Sequence, residues 1–372
     1  MIEREIGSQI LNDFNKGKVI VILGARQVGK TTLLQNLVKD QTNQLVFNCD
    51  NYDDRADLEN KTSTELKNLI GNNKIVVIDE AQRVKNIGLT LKIIADMKLL
   101  TQVLVTGSSS LEISSEINES ATGRLFEYNL FPLTLKELSN YHTSRVEKRM
   151  LENRMIYGLY PDIVNNFSDA KRLLINLANN YLYKDLFEYK GIKKPEILHK
   201  LIRALALQLG NEVSYTELAQ TVGIDKITVE NYINLLEKCF VIFRLSSYSR
   251  NVRNEIKKGK KIYFYDNGIR NALISNFSPL DLRNDVGALW ENLMISERVK
   301  HNAYKRNYSQ LFFWRTQQQQ EIDLIEEKDG LLTAYEFKWN ERKKVSLPSN
   351  FLKNYPDTEF KIINRENYMD FL

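Results

Sequence analysis

The chain has 372 residues, of which 43% are hydrophobic and 27% charged, with a formal net charge of +5. This composition is typical of soluble globular proteins, and the length allows two or three domains. It excludes a chain built of membrane spans, because no apolar run approaches the roughly 18 residues that a span requires. The charged N-terminus is unlike a secretory signal, and Cys49 and Cys239 make no disulfide framework. We expect a protein of the reducing cytoplasm without a membrane partner.

Four short apolar runs alternate with helical stretches in the first 140 residues. They are residues 18–24, 44–48, 74–80 and 102–107. β-Branched runs that alternate with helices are typical of a parallel sheet covered by helices on both faces. We therefore expect an α/β domain over residues 1–140.

The first run ends in the pattern G-x-x-x-x-G-K-[ST] of a phosphate-binding loop. The loop consists of Gly24, Ala25, Arg26, Gln27, Val28, Gly29, Lys30 and Thr31, and Thr32 continues into a stretch with helical spacing. The two glycines permit backbone angles and close approach that a Cβ would prevent. Loop amides and a helix N-terminus then converge on phosphate oxygens. Lys30 is predicted to contact the β- and γ-phosphates and Thr31 to bind Mg²⁺, so ATP and Mg²⁺ are the expected cofactors.

Two acids end the third apolar run. Asp79 and Glu80 follow the buried residues 75–78. In a strand beside the phosphate loop, Asp79 is predicted to hold Mg²⁺ through water and Glu80 to polarise the attacking water. Together with the loop, these residues predict an ATPase.

Two further candidates bear on hydrolysis. The fourth run places a hydroxyl near the γ-phosphate, from either Thr106 or Ser108, and the sequence does not choose between them. A polar loop without a catalytic role is the alternative. Arg124 is a candidate arginine finger, acting in its own subunit or across an oligomer interface, or else a surface arginine.

Residues 196–250 have the pattern of three helices followed by an alternating strand, VIFRLSSYS. Ser214 is an expected N-cap of the second helix, Gly223 its end, and Asp225 a cap of the third. Two helices joined by a short glycine-containing turn are typical of a helix-turn-helix. The pattern predicts a winged helix with its wing strand at the end.

Residues suited to nucleic acid lie at and after the third helix. Lys226, Thr228 and Asn231 are expected near its exposed start, where side chains reach base edges or phosphates. Residues 244–261 then hold seven basic side chains against one acid, Glu255: Arg244, Arg250, Arg253, Lys257, Lys258, Lys260 and Lys261. A basic segment beside a helix-turn-helix predicts DNA as a partner. A protein-binding module with a solvated basic loop is the alternative.

A third group of candidate residues lies near the C-terminus. Asp323 is separated by twelve residues from Glu336-Phe337-Lys338, with a Gly330 turn between, which predicts a β-hairpin. Glu336 and Lys338 then share one face of a strand. Two acids that bind a metal beside a lysine suit metal-assisted phosphodiester hydrolysis, and Glu291 on a preceding helix is a third candidate ligand. A surface charge pair is the alternative.

These residues together resemble a known family, the bacterial and archaeal AAA+-like ATPases with a C-terminal DUF4143 domain. The similarity covers almost the whole chain. Its most specific segments are GARQVGKTT (24–32), VVIDEAQ (76–82), LVTGSSS (104–110), TGRLFEYNLFPLTLKEL (122–138), GLYPDIV (158–164), KIYFYDNGIRNAL (261–273), FFWRTQQQQEIDLI (312–325) and YEFK (335–338). The resemblance implies a PD-(D/E)XK nuclease-like fold for the C-terminal part, with Asp323, Glu336 and Lys338 as its site.

The chain departs from the family pattern in two places. The stretch before Asp323 usually contains a glycine, as in K-x-G-x-E-V-D, but here residues 317–320 are four glutamines. Leu159 stands where a second glycine is common.

The expected architecture is α/β in four regions: a P-loop AAA+-like ATPase domain (1–140), a helical lid or connector (141–192), a winged-helix domain (193–256) and a PD-(D/E)XK nuclease-like domain (257–372). Three functions remain open. The first is an ATP-binding and ATP-hydrolysing switch that acts on DNA. The second is an ATP-regulated, metal-dependent DNA nuclease. The third is an ATP-dependent protein-interaction switch with an inactive nuclease-like domain, for which a protein partner or homo-oligomer is expected.

Overall fold

The computed structural model describes residues 1–107, 123–181, 195–249, 259–341 and 345–372. They form two compact units, Met1–Leu133 with Lys238–Phe240, and Thr134–Glu237 with Val241–Leu372. The predicted Ser108 and four of the basic residues, Arg250, Arg253, Lys257 and Lys258, lie outside the described residues. Within the described ranges, no helix combines the length and apolarity that crossing a bilayer would require.

A five-stranded parallel sheet forms the centre of the first unit. Its strands are β1 (Val19–Leu23), β2 (Gln44–Asn48), β3 (Ile75–Asp79), β4 (Gln102–Gly107) and β5 (Leu125–Asn129). Their order is β2-β3-β4-β1-β5. The four predicted runs are the first four strands, and β1, β3 and β4 are buried throughout. The fifth strand was not predicted, because only Tyr128 of LFEYN is fully buried and its charged and exposed residues hide the pattern.

Helices cover this sheet. They are α1 (Ile6–Asn12), α2 (Lys30–Val38), α3 (Tyr52–Leu58), α4 (Ser63–Ile70) and α5 (Ile87–Asp96), with a 3₁₀ turn at Ala81–Arg83. In the parallel register Leu23 pairs with Gly107, and Ile78 pairs with Val105. The carboxyl ends of β1, β3 and β4 therefore meet at one edge of the sheet. That edge receives the phosphate loop, Asp79 and Glu80.

The second unit begins with helices. They are α6 (Leu135–Tyr141), α7 (Ser144–Tyr157), α8 (Pro161–Asn165) and α9 (Ala170–Asn176), then α10 (Pro195–Leu207), α11 (Tyr215–Val222) and α12 (Lys226–Lys238), followed by α13 (Asn267–Leu273), α14 (Val286–Lys305), α15 (Ser349–Asn354) and α16 (Tyr368–Phe371). Short 3₁₀ turns occupy Phe167–Asp169 and Leu280–Leu282, and Leu177–Tyr181 is a π-helical turn.

The caps predicted for the central helices are confirmed. The Ser214 hydroxyl accepts from the amide of Glu217 over 3.3 Å at the start of α11. Gly223 ends that helix with φ 77°, a left-handed angle that glycine adopts without a Cβ penalty. Asp225 Oδ1 accepts from the amide of Thr228 over 2.8 Å at the start of α12.

A seven-stranded mixed sheet completes the second unit. Its strands are β6 (Glu212–Val213), β7 (Ile242–Ser247), β8 (Lys260–Phe264), β9 (Gln310–Arg315), β10 (Glu321–Lys328), β11 (Leu331–Phe337) and β12 (Glu359–Ile363). Their order is β12-β11-β10-β9-β7-β8-β6. The strand predicted as a wing, β7, pairs antiparallel with β8 and parallel with β9. The boundary expected at residue 256 therefore falls between two neighbouring strands of one sheet.

Candidate nucleotide site and buried acidic cluster

The phosphate loop connects β1 to α2 at the carboxyl edge of the parallel sheet. A Cβ built on Gly24 would lie 2.2 Å from the carbonyl oxygen of Leu130, so only glycine fits there. Gly29 has φ 95°, in the left-handed region. The two glycines are therefore required for different reasons, close approach at Gly24 and backbone angle at Gly29.

Lys30 is folded into the loop. Its side chain is buried, with Nζ 3.0 Å from the carbonyl oxygen of Gly24 and 2.9 Å from that of Ala25. These carbonyls hold the ammonium group at the loop that is expected to surround the phosphates. Lys30 therefore lies within the loop, and its contact with the β- and γ-phosphates stays a prediction.

A continuous hydrogen-bonded chain joins the other predicted residues. The Thr31 hydroxyl donates to Asp79 Oδ2 over 2.8 Å, and the Thr106 hydroxyl donates to Asp79 Oδ1. The amide of Glu80 donates to the Thr106 oxygen over 3.1 Å. Asp79 is thereby held at both oxygens. Of the two predicted hydroxyl candidates, Thr106 belongs to this chain, and Ser108 lies outside the described residues.

Glu80 has an unusual backbone. Its φ of 54° and ψ of 43° lie in the left-handed region, which a residue with a side chain seldom adopts. The side-chain amide of Gln82 donates to its carboxylate. Such backbone angles cluster at functional sites, and the hydrogen bond from the Glu80 amide to Thr106 holds this one in place.

The structure does not bring Arg124 to the phosphate loop. Arg124 precedes β5, and Leu125 of that strand pairs with Val19 at the start of β1. The loop follows the other end of β1, on the order of 15 Å away at the usual rise per residue. The Arg124 guanidinium instead bonds Asp96. An arginine finger within the same subunit is therefore not supported, and action across an oligomer interface stays a prediction.

One residue at the loop, Arg4, was not predicted from the sequence. Arg4 donates from Nη1 to the carbonyl oxygen of Val28 over 2.7 Å. An arginine 20 residues before Gly24 belongs to no local motif, so no sequence signal pointed to it.

A second set of functional candidates lies in the mixed sheet. Leu324 pairs with Tyr335 in the hairpin of β10 and β11, so Asp323 and Glu336 are neighbours across the two strands. Lys338 Nζ donates to Glu336 Oε2 over 2.5 Å and to Asp323 Oδ2 over 3.3 Å. The register of β10 with β9 shifts just around Asp323, and such irregularities often lie next to active sites. The predicted hairpin and its three residues are thus brought together.

Glu291 of α14 joins the cluster through partners that were not predicted. Its Oε1 accepts from Tyr263 over 2.6 Å and from Lys261 over 3.1 Å. Lys261 also forms an ion pair with Glu321. Lys261 is 1% exposed, although its sequence neighbours suggested a solvated basic segment.

Burial and charge together set the titration of this cluster. Four carboxylates (Glu291, Glu321, Asp323, Glu336) face two ammonium groups (Lys261, Lys338) and the guanidinium of Arg315, which leaves a formal charge of −1. Burial raises the pKa of Glu336 to about 7, and Asp323 adds to the effect against the hydrogen bond from Lys338. Burial also raises the pKa of Glu291 to about 7, with Lys261 opposing it and Asp323 adding to it.

The cluster offers oxygens but no assembled three-ligand metal site. Hydrogen bonds use Asp323 Oδ2, Glu336 Oε2 and Glu291 Oε1, and within the described part of the chain the other oxygen of each carboxylate accepts none. Yet no group of three or more His, Cys, Asp or Glu among the described residues is arranged to hold a metal ion. The expected set of three carboxylate ligands is therefore not preformed.

The side chains predicted to contact DNA differ in exposure and in whether they already have a partner within the fold. Lys226 and Asn231 on α12 are exposed, but the Thr228 hydroxyl bonds Asp225 over 2.6 Å as part of the helix cap. Arg244 forms an ion pair with Glu237. Because Arg244 and the buried Lys261 are neutralised within the fold, the basic surface is smaller than the sequence suggested.

Comparison with known proteins agrees with this geometry. Residues 16–139 match the family model of the AAA domain AAA_14, residues 148–280 match a domain of unknown function, DUF8612, and residues 286–368 match a second one, DUF4143. An uncharacterized protein of Mycobacterium tuberculosis is 26% identical over 351 residues, covering 93% of this chain and 75% of the relative. One from Methanocaldococcus jannaschii is 24% identical over 392 residues, covering 98% and 84%. The crystal structure of Cdc6p from Pyrobaculum aerophilum superposes only loosely, with 14% identity, a TM-score of 0.29 and coverage of 82% and 93%.

The parallel sheet, the phosphate loop and the matched AAA domain define an ATP-binding protein of the P-loop class. The chain carries an AAA domain at residues 16–139 and a DUF4143 domain at residues 286–368. This agrees with the resemblance stated from its motifs.

Proposed function

We propose that this protein is an Mg²⁺-dependent, ATP-hydrolysing molecular switch that acts on DNA. The observation that carries the ATPase proposal is the hydrogen-bonded chain from Thr31 through Asp79 and Thr106 to Glu80. It joins a predicted magnesium ligand to the predicted general base through two side chains. The chain therefore links the position of the Thr31 hydroxyl to that of the Glu80 backbone.

Each residue has a distinct role in hydrolysis. Lys30 stabilises negative charge on the β- and γ-phosphates, and the loop amides hold the phosphates in line. The Glu80 carboxylate accepts a proton from water as the water oxygen bonds to the γ-phosphorus and ADP leaves. Asp79, bonded at both oxygens, keeps the end of β3 in register with β4.

The donor set fits Mg²⁺. This ion usually keeps several waters and takes one or two protein oxygens together with phosphate oxygens. The Thr31 hydroxyl and the Asp79 carboxylate lie 2.8 Å apart and supply such oxygens. Mg²⁺ would neutralise charge that develops on the phosphates.

Support for DNA comes from the second unit. Helices α10, α11 and α12 precede the adjacent strands β7 and β8, with β6 beside β8, an arrangement that suits a winged helix. Lys226 and Asn231 lie exposed at the start of α12, where a recognition helix contacts DNA. Ile227 between them is 72% exposed, which suits a protein contact equally well.

The test is phosphate release from ATP with and without duplex and single-stranded DNA, beside DNA binding with and without ATP. Lys30→Ala should abolish turnover. Lys226→Ala with Asn231→Ala should weaken DNA binding but leave basal turnover unchanged. If DNA neither binds nor alters turnover, and the same double variant loses a co-purifying protein, the switch acts on a protein instead.

A nuclease is the second candidate, favoured by the convergence of Asp323, Glu336 and Lys338. The formal charge of −1 in the cluster favours a cation, and among the described residues the second oxygens of Asp323, Glu336 and Glu291 accept no hydrogen bond. In this role Lys338 would orient the attacking water.

Incubation of labelled single-stranded, duplex and branched DNA with Mg²⁺ or Mn²⁺, with and without ATP, tests this candidate. Lys338→Ala should remove cleavage. The control is Lys361→Ala, an exposed lysine on β12 of the same sheet. No cleavage by wild-type protein under any condition would leave the cluster a structural or binding element.

A further inference from the structure

The guanidinium of Arg4 lies against the phosphate loop, just before α1. Arg4 is 9% exposed. Its Nη1 donates to the carbonyl oxygen of Val28 over 2.7 Å, and its Nη2 donates to that of Phe131 over 2.6 Å. A Cβ built on Gly29 would lie 3.7 Å from the same Nη1, so the guanidinium is also close to Gly29. One side chain therefore joins the N-terminal segment, the phosphate loop and the segment after β5.

The bond to Val28 holds one peptide group in one orientation. The chain has no cis peptide bond among its described residues, so the carbonyl of Val28 and the amide of Gly29 point in opposite directions. With the carbonyl directed at Arg4, the Gly29 N–H is directed to the other side of the loop. Glycine opposes rotation of this peptide group less than any other residue does.

That orientation matters because the loop binds phosphates through its amides. If the 28–29 peptide rotated by half a turn, the loop would lose a donor and present the negative end of a carbonyl dipole to a phosphate. A hydrogen bond to a charged group contributes more than one between neutral groups, so the loss would be large for a single peptide.

We propose that Arg4 is a positioning residue for the nucleotide, which keeps the Val28–Gly29 peptide with its N–H toward the phosphates. It acts through the loop backbone and needs no contact with the nucleotide. Its second bond, to Phe131, anchors the guanidinium so that it stays beside the loop. The inference rests on nucleotide binding at this loop.

Calorimetric titration with ADP and with ATP tests the effect on affinity. Arg4→Ala should weaken both nucleotides by the same factor, about 10-fold or more. The factor is the same because the loop amides surround the α- and β-phosphates, which both nucleotides carry. Arg4→Lys should weaken binding less, since lysine keeps the charge but cannot span two carbonyls with a planar fork. If Arg4→Ala fails to fold, the affinity of Arg4→Lys for the two nucleotides tests the proposal instead.

Gln102 provides a matched control at the opposite end of the sheet. It is 3% exposed, and its Nε2 donates to the carbonyl oxygens of Lys18 over 3.1 Å and Val103 over 3.0 Å. Gln102→Leu removes side-chain bonds to backbone carbonyls of the same kind, away from the loop. It should lower thermal stability while nucleotide affinity stays at the wild-type value.

A second readout needs no nucleotide. The sequence contains three Val-Gly pairs, ending in Gly29, Gly223 and Gly287. Labelling valine carbonyls with ¹³C and glycine amides with ¹⁵N selects these three amide signals. In Arg4→Ala the Gly29 signal should shift or split, and the signals of Gly223 and Gly287 should not move.

Unchanged affinity for both nucleotides in Arg4→Ala would overturn the proposal, whatever the Gly29 signal does. So would an equal loss of affinity in Gln102→Leu, which would indicate a general loss of stability. If wild-type protein bound no nucleotide, the proposed function itself would fail. The Gly29 signal would then still report whether Arg4 holds the peptide.

Discussion

Thr31 and Asp79, 48 positions apart in the chain, are joined by a hydrogen bond of 2.8 Å between hydroxyl and carboxylate. Both were predicted as magnesium ligands from separate motifs. Their contact joins the start of the helix after the phosphate loop to the end of β3. It also means that each residue holds the other in position before any nucleotide arrives.

Thr31→Ala is expected to weaken binding of Mg²⁺–ATP more than binding of ATP without metal. The hydroxyl contributes to metal binding and to the position of Asp79, and both are lost. We expect a difference of about 10-fold, corresponding to about 1.4 kcal/mol. Titration with and without a chelator measures it. Thr31→Ser keeps the hydroxyl, and a similar loss in that variant would contradict this role.

Glu80→Gln is expected to separate binding from turnover. Glutamine keeps the size of the side chain but cannot accept a proton from water, so turnover should fall by about 10²–10⁴-fold. Affinity for ATP should change little. Pre-steady-state and steady-state phosphate release, beside a binding titration, check both numbers. Undiminished turnover would show that another residue activates the water.

Gly24→Ala is expected to destabilise the first unit. The new Cβ would lie 2.2 Å from the backbone oxygen of Leu130, which cannot move aside as a flexible side chain can. Overpacking of this kind costs about 1–3 kcal/mol, and nucleotide affinity should fall with it. Gly7→Ala in α1 is the control, because its Cβ would lie an ordinary 3.8 Å from Leu33. A thermal midpoint lowered equally by both changes would refute the steric account.

Asp285 is expected to account for part of the stability that the protein loses at acid pH. Burial would raise the pKa of Asp285, but hydrogen bonds from Arg283 and Arg270 outweigh it and lower the pKa from 3.8 to about 2. A carboxyl whose pKa is lowered by folding stabilises the fold at pH values above its pKa in the unfolded chain. This stability is lost as the pH falls from about 4 to about 2. The contribution at neutral pH is about 2 kcal/mol.

Asp285→Asn should therefore lower the free energy of unfolding at pH 7 and flatten its decline below pH 4. Denaturant unfolding at a series of pH values measures both effects. The exposed Asp281, in the preceding turn, supplies the control Asp281→Asn. If the two variants had parallel pH profiles, the two arginines would not be responsible.

Local patterns predicted the parts of the site that a few neighbouring residues define. The phosphate loop was recognisable because glycine, lysine and threonine must stand at set distances along one turn. Asp79 and Glu80 were recognisable because a buried strand ends where they begin. The hairpin of Asp323 and Glu336 followed from alternation around a Gly330 turn, whose φ of 82° is left-handed.

Contacts between distant segments were not predictable in the same way. The basic segment suggested that Lys261 faces solvent, but α14 and β10 bring Glu291 and Glu321 to it. Arg124 stood next to motif residues in sequence, but strand direction places it at the far end of the sheet from the loop. Nearness in sequence is a poor guide here, because the two ends of a strand lie at opposite edges of a parallel sheet.

By itself, the sequence determined that the chain binds ATP and that its first domain is a parallel α/β sheet, since loop chemistry and strand hydrophobicity are local properties. Only the tertiary structure decided that Thr106 bridges Asp79 and Glu80, that Arg4 holds the loop, and that β7 and β8 extend the sheet of the acidic cluster. These are packing relationships between segments far apart in the chain. They depend on strand order and register, which side-chain patterns within one segment do not encode.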